Sequence, residues 1–203
     1  VYIGGGTPTT APASSLADLL RRIGDSFTLH PDAEITVEAN PGTIDEEKAR
    51  ALCDAGVNRF SIGVQSFIDR ELKLLGRIHN SGDAVRAVAA VRNTGIRNLS
   101  LDLIYGLPGQ TLEDWSHSIA TAEALSPEHL STYELTPEVC TPLYELIREK
   151  KLEKPGEETI LAMYDHVIDS LAGTGYRHYE ISNFARPGFE SRHNLNYWNR
   201  GEY

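Results

Sequence analysis

A recurring unit constrains this chain more than any other feature: a glycine that ends a helix, a short polar loop, and a strand entering a sheet. Gly56-Val57-Asn58-Arg59-Phe60-Ser61-Ile62 is answered by Gly95-Ile96-Arg97-Asn98-Leu99-Ser100-Leu101, and more loosely by Gly175-Tyr176-Arg177-His178-Tyr179-Glu180-Ile181. The first two copies lie one βα unit apart, and repeated βα units imply a parallel sheet, either barrel-like or doubly wound. No GxGxxG follows the opening strand, and polar groups recur at the end of strand after strand. That pattern favours an α/β barrel-like sheet converging on one mouth.

Periodicity and caps place the other elements. Val1 to Ile3 is a strand running into Gly4-Gly5-Gly6-Thr7-Pro8, whose glycines let backbone approach a ligand and present N–H groups. Ser14 or Ser15 caps a helix carrying Leu16, Leu19, Leu20 and Ile23. Glu34 to Ala39 is the second strand, and Thr43-x-x-Glu46 reads as a capping box for a helix over Asp45 to Ala55. Arg59 to Val64 is the third strand, followed by a short helix from Asp69 to Gly76 and a longer one from Ser81 to Thr94. Asn98 to Tyr105 is the fourth strand, leading through Gly106-Leu107-Pro108-Gly109 into a capping-box start at Thr111 and a helix to Leu125. Strand Leu130 to Leu135, helices Leu143 to Lys150 and Glu157 to Ala172, and strand Tyr179 to Asn183 complete the order. The run Glu149 to Lys154 reads as a solvated face and turn.

Asp102 near the end of an otherwise apolar strand is poor core design and good site design, although alone it reads equally well as a bond to a neighbouring group. The same strand-end logic collects Gly5, Gly6 and Thr7; Glu38 and Asn40; Gln65 and Ser66; Asp102 and Tyr105; Glu134 and Thr136; and Asn183. With Arg77 nearby, this rim suits a polar ligand carrying amine, hydroxyl and carboxylate groups. A formal charge of −10 without a basic stretch argues against nucleic-acid binding. The two cysteines, Cys53 and Cys140, form no CxxC, which fits a reducing cytoplasm and offers no metal cluster. No run approaches a membrane span and no signal-peptide pattern opens the chain. The chain opens in mid-strand and stops without a closing element, which reads as a fragment cut at both ends.

Five blocks together carry a family resemblance: GGGTPT at Gly4 to Thr9, VEANPG at Val37 to Gly42, GVQSF at Gly63 to Phe67, LGRIH at Leu75 to His79 and LDLIYGLPGQT at Leu101 to Thr111. In order and spacing they resemble the radical S-adenosylmethionine proteins of the oxygen-independent coproporphyrinogen III oxidase group, over nearly the whole chain from Val1 to Tyr203. The resemblance implies a partial (β/α)6 TIM-like barrel, with residues 1–140 as barrel core and 141–203 as a C-terminal extension. It implies S-adenosylmethionine contacts from Gly5, Gly6, Thr7, Glu38, Gln65, Arg77 and Asp102, and a further backbone-side contact at Thr136. It also implies a [4Fe–4S] cluster, but the family's CxxxCxxC loop is absent here. That loop lies just upstream of the strand with which this chain begins, so truncation explains the absence, together with the loss of the first barrel strand.

His193-Asn194-Leu195-Asn196-Tyr197-Trp198 forms an HNxxYW motif. It resembles the haem chaperone branch of the group in place of the porphyrinogen oxidases. His193 beside two large aromatics is a candidate haem-iron ligand, or else an imidazole bonded to backbone in a packed loop. Arg186, Arg192 and Arg200 can meet propionates or remain surface charges. The branch implies binding of haem or porphyrin and cytoplasmic or membrane-peripheral transfer to haem-acceptor proteins. The alternative is oxidative decarboxylation of coproporphyrinogen III. Whether S-adenosylmethionine is cleaved for catalysis does not follow from these residues.

Overall fold

The computed structural model describes residues 1–202; Tyr203, the last residue of the expected 141–203 extension, lies outside the described residues. Seven strands form one open sheet: β1 (Tyr2–Ile3), β2 (Thr36–Ala39), β3 (Arg59–Gln65), β4 (Leu99–Tyr105), β5 (His129–Glu134), β6 (Arg177–Glu180) and β7 (Asn183–Ala185). Their spatial order is β1-β2-β3-β4-β5-β7-β6, and the first five are all parallel in chain order. This is the expected βα arrangement of a partial barrel.

The helices are α1 (Ala13–Ser26), α2 (Glu46–Asp54), α3 (Asp69–Leu74), α4 (Ser81–Arg92), α5 (Leu112–Ala124), α6 (Pro142–Arg148), α7 (Glu157–Leu171) and α8 (Arg192–Trp198). On the outer side α1 packs on α2, α2 on α4, and α5 on α7. Strand residues alternate between faces. Val37 and Ala39, Phe60, Ile62 and Val64, Leu99, Leu101 and Leu103, and Leu130 are buried in one apolar core with Leu52, Val88, Trp115, Ile119 and Val167 from the helices. The other parity is polar: Glu38; Arg59, Ser61 and Gln65; Ser100 and Asp102; His129, Ser131 and Tyr133.

Three local expectations are corrected. The last strand is not one run from Tyr179 to Asn183 but an antiparallel hairpin, β6 and β7, reversing at Ile181-Ser182, with β7 antiparallel to β5. The third, looser repeat copy enters the sheet as β6 at its edge, running in the same direction as β1 to β5 but paired only with the reversed strand β7. Neither Ser14 nor Ser15 caps α1: both lie in its first turn behind Pro12, which has no side-chain acceptor to offer. Asp45, not Thr43, caps α2 by accepting from Lys48 N at 2.8 Å. Thr43 instead closes a 3₁₀ turn over Pro41–Thr43 in a reciprocal box with Asn40. The Thr111–Asp114 box on α5 is as expected.

Candidate functional site

The C-terminal ends of β2 to β5 and the loop after β1 surround a cleft of about 430 Å³. Gly6, Thr7, Glu38, Gln65, Arg77, Asp102 and Thr136 all line it. So do Asn40 and Glu134, which the strand-end reading also collected. Gly5 does not line it; its N–H donates to Glu38 Oε2 at 3.0 Å. Ser66 turns away to Glu71, Tyr105 packs tilted against Trp115 in the helix-side core, and Asn183 is buried on β7, so these three of the collected rim residues leave the mouth.

Close backbone approach shapes the cleft floor. Tyr2 Oη donates to Glu38 Oε1 at 2.6 Å, so both carboxylate oxygens of Glu38 have a partner. A Cβ on Gly4 would lie 2.7 Å from the Tyr2 ring and 2.9 Å from the Glu38 carboxyl carbon. A Cβ on Gly63 would lie 2.7 Å from Gln65 Nε2 and 3.0 Å from Asn40 Oδ1. A Cβ at either position would force these side chains to shift, most readily at Gly63, where the neighbours are the ends of Gln65 and Asn40. Gln65 itself takes the left-handed region, at φ 70°, a conformation that costs energy in a residue with a side chain. The strained turn presents Gln65 to the cleft, and it is held from behind by a buried network. Ser66 Oγ donates to Glu71 Oε2 at 2.6 Å, Gln110 Nε2 donates to the same oxygen at 3.0 Å, and Gln110 Oε1 accepts Gly106 N at 2.8 Å. This network ties the loop after β3 to the loop after β4.

Asp102 is held by serines from its own and neighbouring strands. Ser61 Oγ lies 3.0 Å from each of its oxygens and Ser100 Oγ lies 3.1 Å from Oδ1. Burial pushes the Asp102 carboxyl up, while Ser61 and the charge of Arg59 pull it back. Ser100 continues to His129 Nδ1 at 2.8 Å, and His129 Nε2 lies 2.8 Å from Tyr179 Oη. The Asp–Ser–His composition is not a nucleophile site: Ser100 and His129 are fully buried and face no cavity. Arg77 is partly buried on the opposite wall, and its guanidinium makes no ion pair or hydrogen bond among the described residues. Carboxylates, amides, hydroxyls and one unpaired guanidinium thus converge on the cleft, a donor set that fits an amino-acid zwitterion joined to a ribose.

His193 stands outside the cleft, on α8. Its ring stacks on Tyr2 with centroids 4.3 Å apart, and Tyr197 meets it edge-on at 4.9 Å. The HNxxYW segment is therefore a short helix capped by Ser191, with Tyr197 and Trp198 half exposed. Burial pulls the His193 imidazole below its ordinary value, which favours the neutral, ligating form. Arg186 is half-buried and stacks over Tyr176, whereas Arg192, which donates to Asp32 O at 2.6 Å, and Arg200 are both exposed. No group of three His, Cys, Asp or Glu among the described residues can hold a metal ion. Cys53 donates to Thr94 Oγ1 at 3.4 Å and Cys140 is exposed, so a [4Fe–4S] cluster does not fit the residues present.

The family model for the radical SAM superfamily matches residues 1–122, more than half of the chain. The chain belongs to the radical SAM superfamily. This radical SAM chain is 43% identical over its full length to the heme chaperone HemW of Bacillus subtilis (strain 168) and 41% identical to that of Escherichia coli (strain K12). It covers 54% and 53% of those proteins, so it spans about half the length of the curated relatives it matches. Among solved structures, the coproporphyrinogen III oxidase HemN from Escherichia coli, a radical SAM enzyme, superposes with a TM-score of 0.80 at 29% identity. That match covers 93% of this chain and 43% of HemN. The archaeal Elp3 of Methanocaldococcus infernus shares the fold at a TM-score of 0.71 and 20% identity, over 82% of this chain and 43% of that one. No helix among the described residues is long and apolar enough to cross a membrane.

Strand-end reasoning missed Tyr2, Ser61, Gly63 and Tyr133, and it missed Arg59 behind them. The signal was present as a polar stripe of period two, Arg59-x-Ser61-x-Gly63-x-Gln65, matched by Ser100-x-Asp102 and His129-x-Ser131-x-Tyr133.

Proposed function

We propose that the cleft binds S-adenosylmethionine and that α8 carries a haem-binding residue of a haem chaperone. In this reading Arg77 meets the methionine carboxylate, and Glu38, Gln65 and Asp102 take the amine and ribose hydroxyls. Gly6, Thr7 and Thr136 border the ligand, and Gly5 shapes the loop by fixing Glu38. His193 is the candidate axial ligand to haem iron. Bound S-adenosylmethionine supplies a reactive sulfonium, and the [4Fe–4S] cluster that would accompany it needs ligands other than the residues described. Haem-acceptor proteins are the partners, without nucleic acid, in a cytoplasmic or membrane-peripheral setting.

One observation supports the pairing of the two sites. The ring that stacks on His193 belongs to the same Tyr2 whose hydroxyl bonds Glu38 in the cleft. A haemin titration followed by the Soret band, on the protein and on His193→Ala, tests it. Stoichiometric uptake by the parent that is lost in a folded variant is expected. Equal uptake by both would sink the assignment of His193. The likeness to HemN favours a second reading, coproporphyrinogen III oxidation, which predicts porphyrinogen turnover by the cluster-loaded protein.

A further inference from the structure

Behind the cleft lies a smaller and more enclosed chamber of about 140 Å³. Glu38, Ser61, Asp102 and Tyr133 line both spaces; Tyr2, Arg59, Ser131, Ser191 and Asn194 complete the inner one. Arg59 is 2% exposed, and its Nε has no hydrogen-bond partner. Among the described residues its guanidinium makes no ion pair and no hydrogen bond. A guanidinium keeps its charge even when buried, and an isolated buried charge is costly. Something in the chamber must answer it. The walls offer two carboxylates, three serine hydroxyls and an asparagine, and the volume admits a few waters at about 30 Å³ each.

We propose that Arg59 is a positioning residue for the cleft, acting across this chamber through bound water to hold Asp102 in its ligand-accepting form and Glu38 in place. The inference rests on the reading of the cleft as an S-adenosylmethionine site. Its geometry is local. Arg59 sits two residues before Ser61 on the same face of β3, and Ser61 touches both oxygens of Asp102. The groups facing Asp102 come from every neighbouring strand: Tyr2 on β1, Glu38 on β2, Arg59 and Ser61 on β3, Ser100 on β4, and His129, Ser131 and Tyr133 on β5. His129 is held neutral by burial, so Arg59 is the one cation in this set. The charge of Arg59 opposes the upward push that burial exerts on the Asp102 carboxyl. An ionised Asp102 accepts ligand hydrogens at both oxygens; a protonated one does not.

Equilibrium dialysis of labelled S-adenosylmethionine against the complete protein, across about pH 5 to 9, reads this directly. Arg59→Met keeps the bulk and removes the charge, Arg59→Lys keeps the charge, and Asp102→Asn removes the titrating group. The expected result for Arg59→Met is a midpoint moved up by about one unit, with binding up to about tenfold weaker on the acid side of the midpoint and recovering as pH rises. Arg59→Lys should keep the parent midpoint. A folded Arg59→Met with the parent pH profile, or a uniform loss at every pH, would overturn the proposal, because a merely structural role does not move a midpoint. If Arg59→Met does not fold, Arg59→Gln takes its place: a midpoint moved up supports the proposal and the parent midpoint overturns it. Parent protein that binds no S-adenosylmethionine, or no better than Asp102→Asn, rejects the cleft reading and this proposal together. That result is distinct from parent binding with an unmoved midpoint.

Discussion

Gly4 and Gly24 show how two residues of one type do opposite work. Gly4 leaves room for the Tyr2 ring and the Glu38 carboxyl, both within 3 Å of where its Cβ would stand. Gly24 lies inside α1 with nothing within 4 Å. Gly4→Ala should cost about 1–3 kcal/mol by overpacking. Gly24→Ala should gain about 0.5–1 kcal/mol, because the unfolded chain loses freedom and the helix loses nothing. Urea unfolding of the two variants checks both signs, and a neutral Gly4→Ala would mean that the Tyr2–Glu38 contact yields without cost. Both glycines were visible in the sequence. Their difference was not, since it depends on a strand one crossover away bringing Glu38 beneath the loop.

Among the elements, the five parallel strands were readable because each ended on a glycine, proline or polar break and each helix was amphipathic. The β6–β7 hairpin was not readable. It turns at Ile181-Ser182, which lacks the Gly, Asn or Asp that marks a two-residue reversal. What holds the reversal is tertiary: β5 offers its free edge, and Thr132 N donates to Ser182 O at 2.7 Å. Helix α7 depends on its neighbour in the same way. Trp115 of α5 is fully buried and its indole Nε1 donates to Met163 O on α7 at 2.8 Å. Trp115→Phe should cost about 1–3 kcal/mol from the lost bond and void, and Trp115→Ala about 3–5 kcal/mol. Equilibrium unfolding measures both, and equal losses in the two variants would show that the hydrogen bond, not packing volume, joins the helices.

For the whole molecule, the polar interior makes stability depend on pH in a direction that follows from burial. His129 is fully buried between Ser100 and Tyr179, and burial pulls its imidazole well below the ordinary value. The unfolded chain therefore binds a proton here that the folded chain does not. Stability from this group is complete above about pH 6.5 and declines as pH falls from there toward the folded value, by up to about 1.4 kcal/mol per pH unit. Burial pushes the carboxyls of Asp102 and Glu71 up, so above about pH 4 the folded state holds their protons longer and these groups act in the opposite sense. His129→Gln should flatten the loss of stability between about pH 7.5 and about pH 5.5. Urea midpoints at the two values test this, and an unchanged slope would place the acid sensitivity on other groups.

The sequence by itself determined the βα order, the apolar face of each strand and the polar residues at the strand ends, because these depend on period and on local caps. The cleft residues from Gly6 to Thr136 were nameable for that reason. Only the tertiary structure decided that Gly5 serves Glu38, that Ser66 turns to Glu71, that Tyr2 joins Glu38 to His193, and that Arg59 lies unpaired behind Asp102. Each of these depends on residues from separate strands meeting on one face. Strand register and sheet curvature set that meeting, and no single segment encodes them.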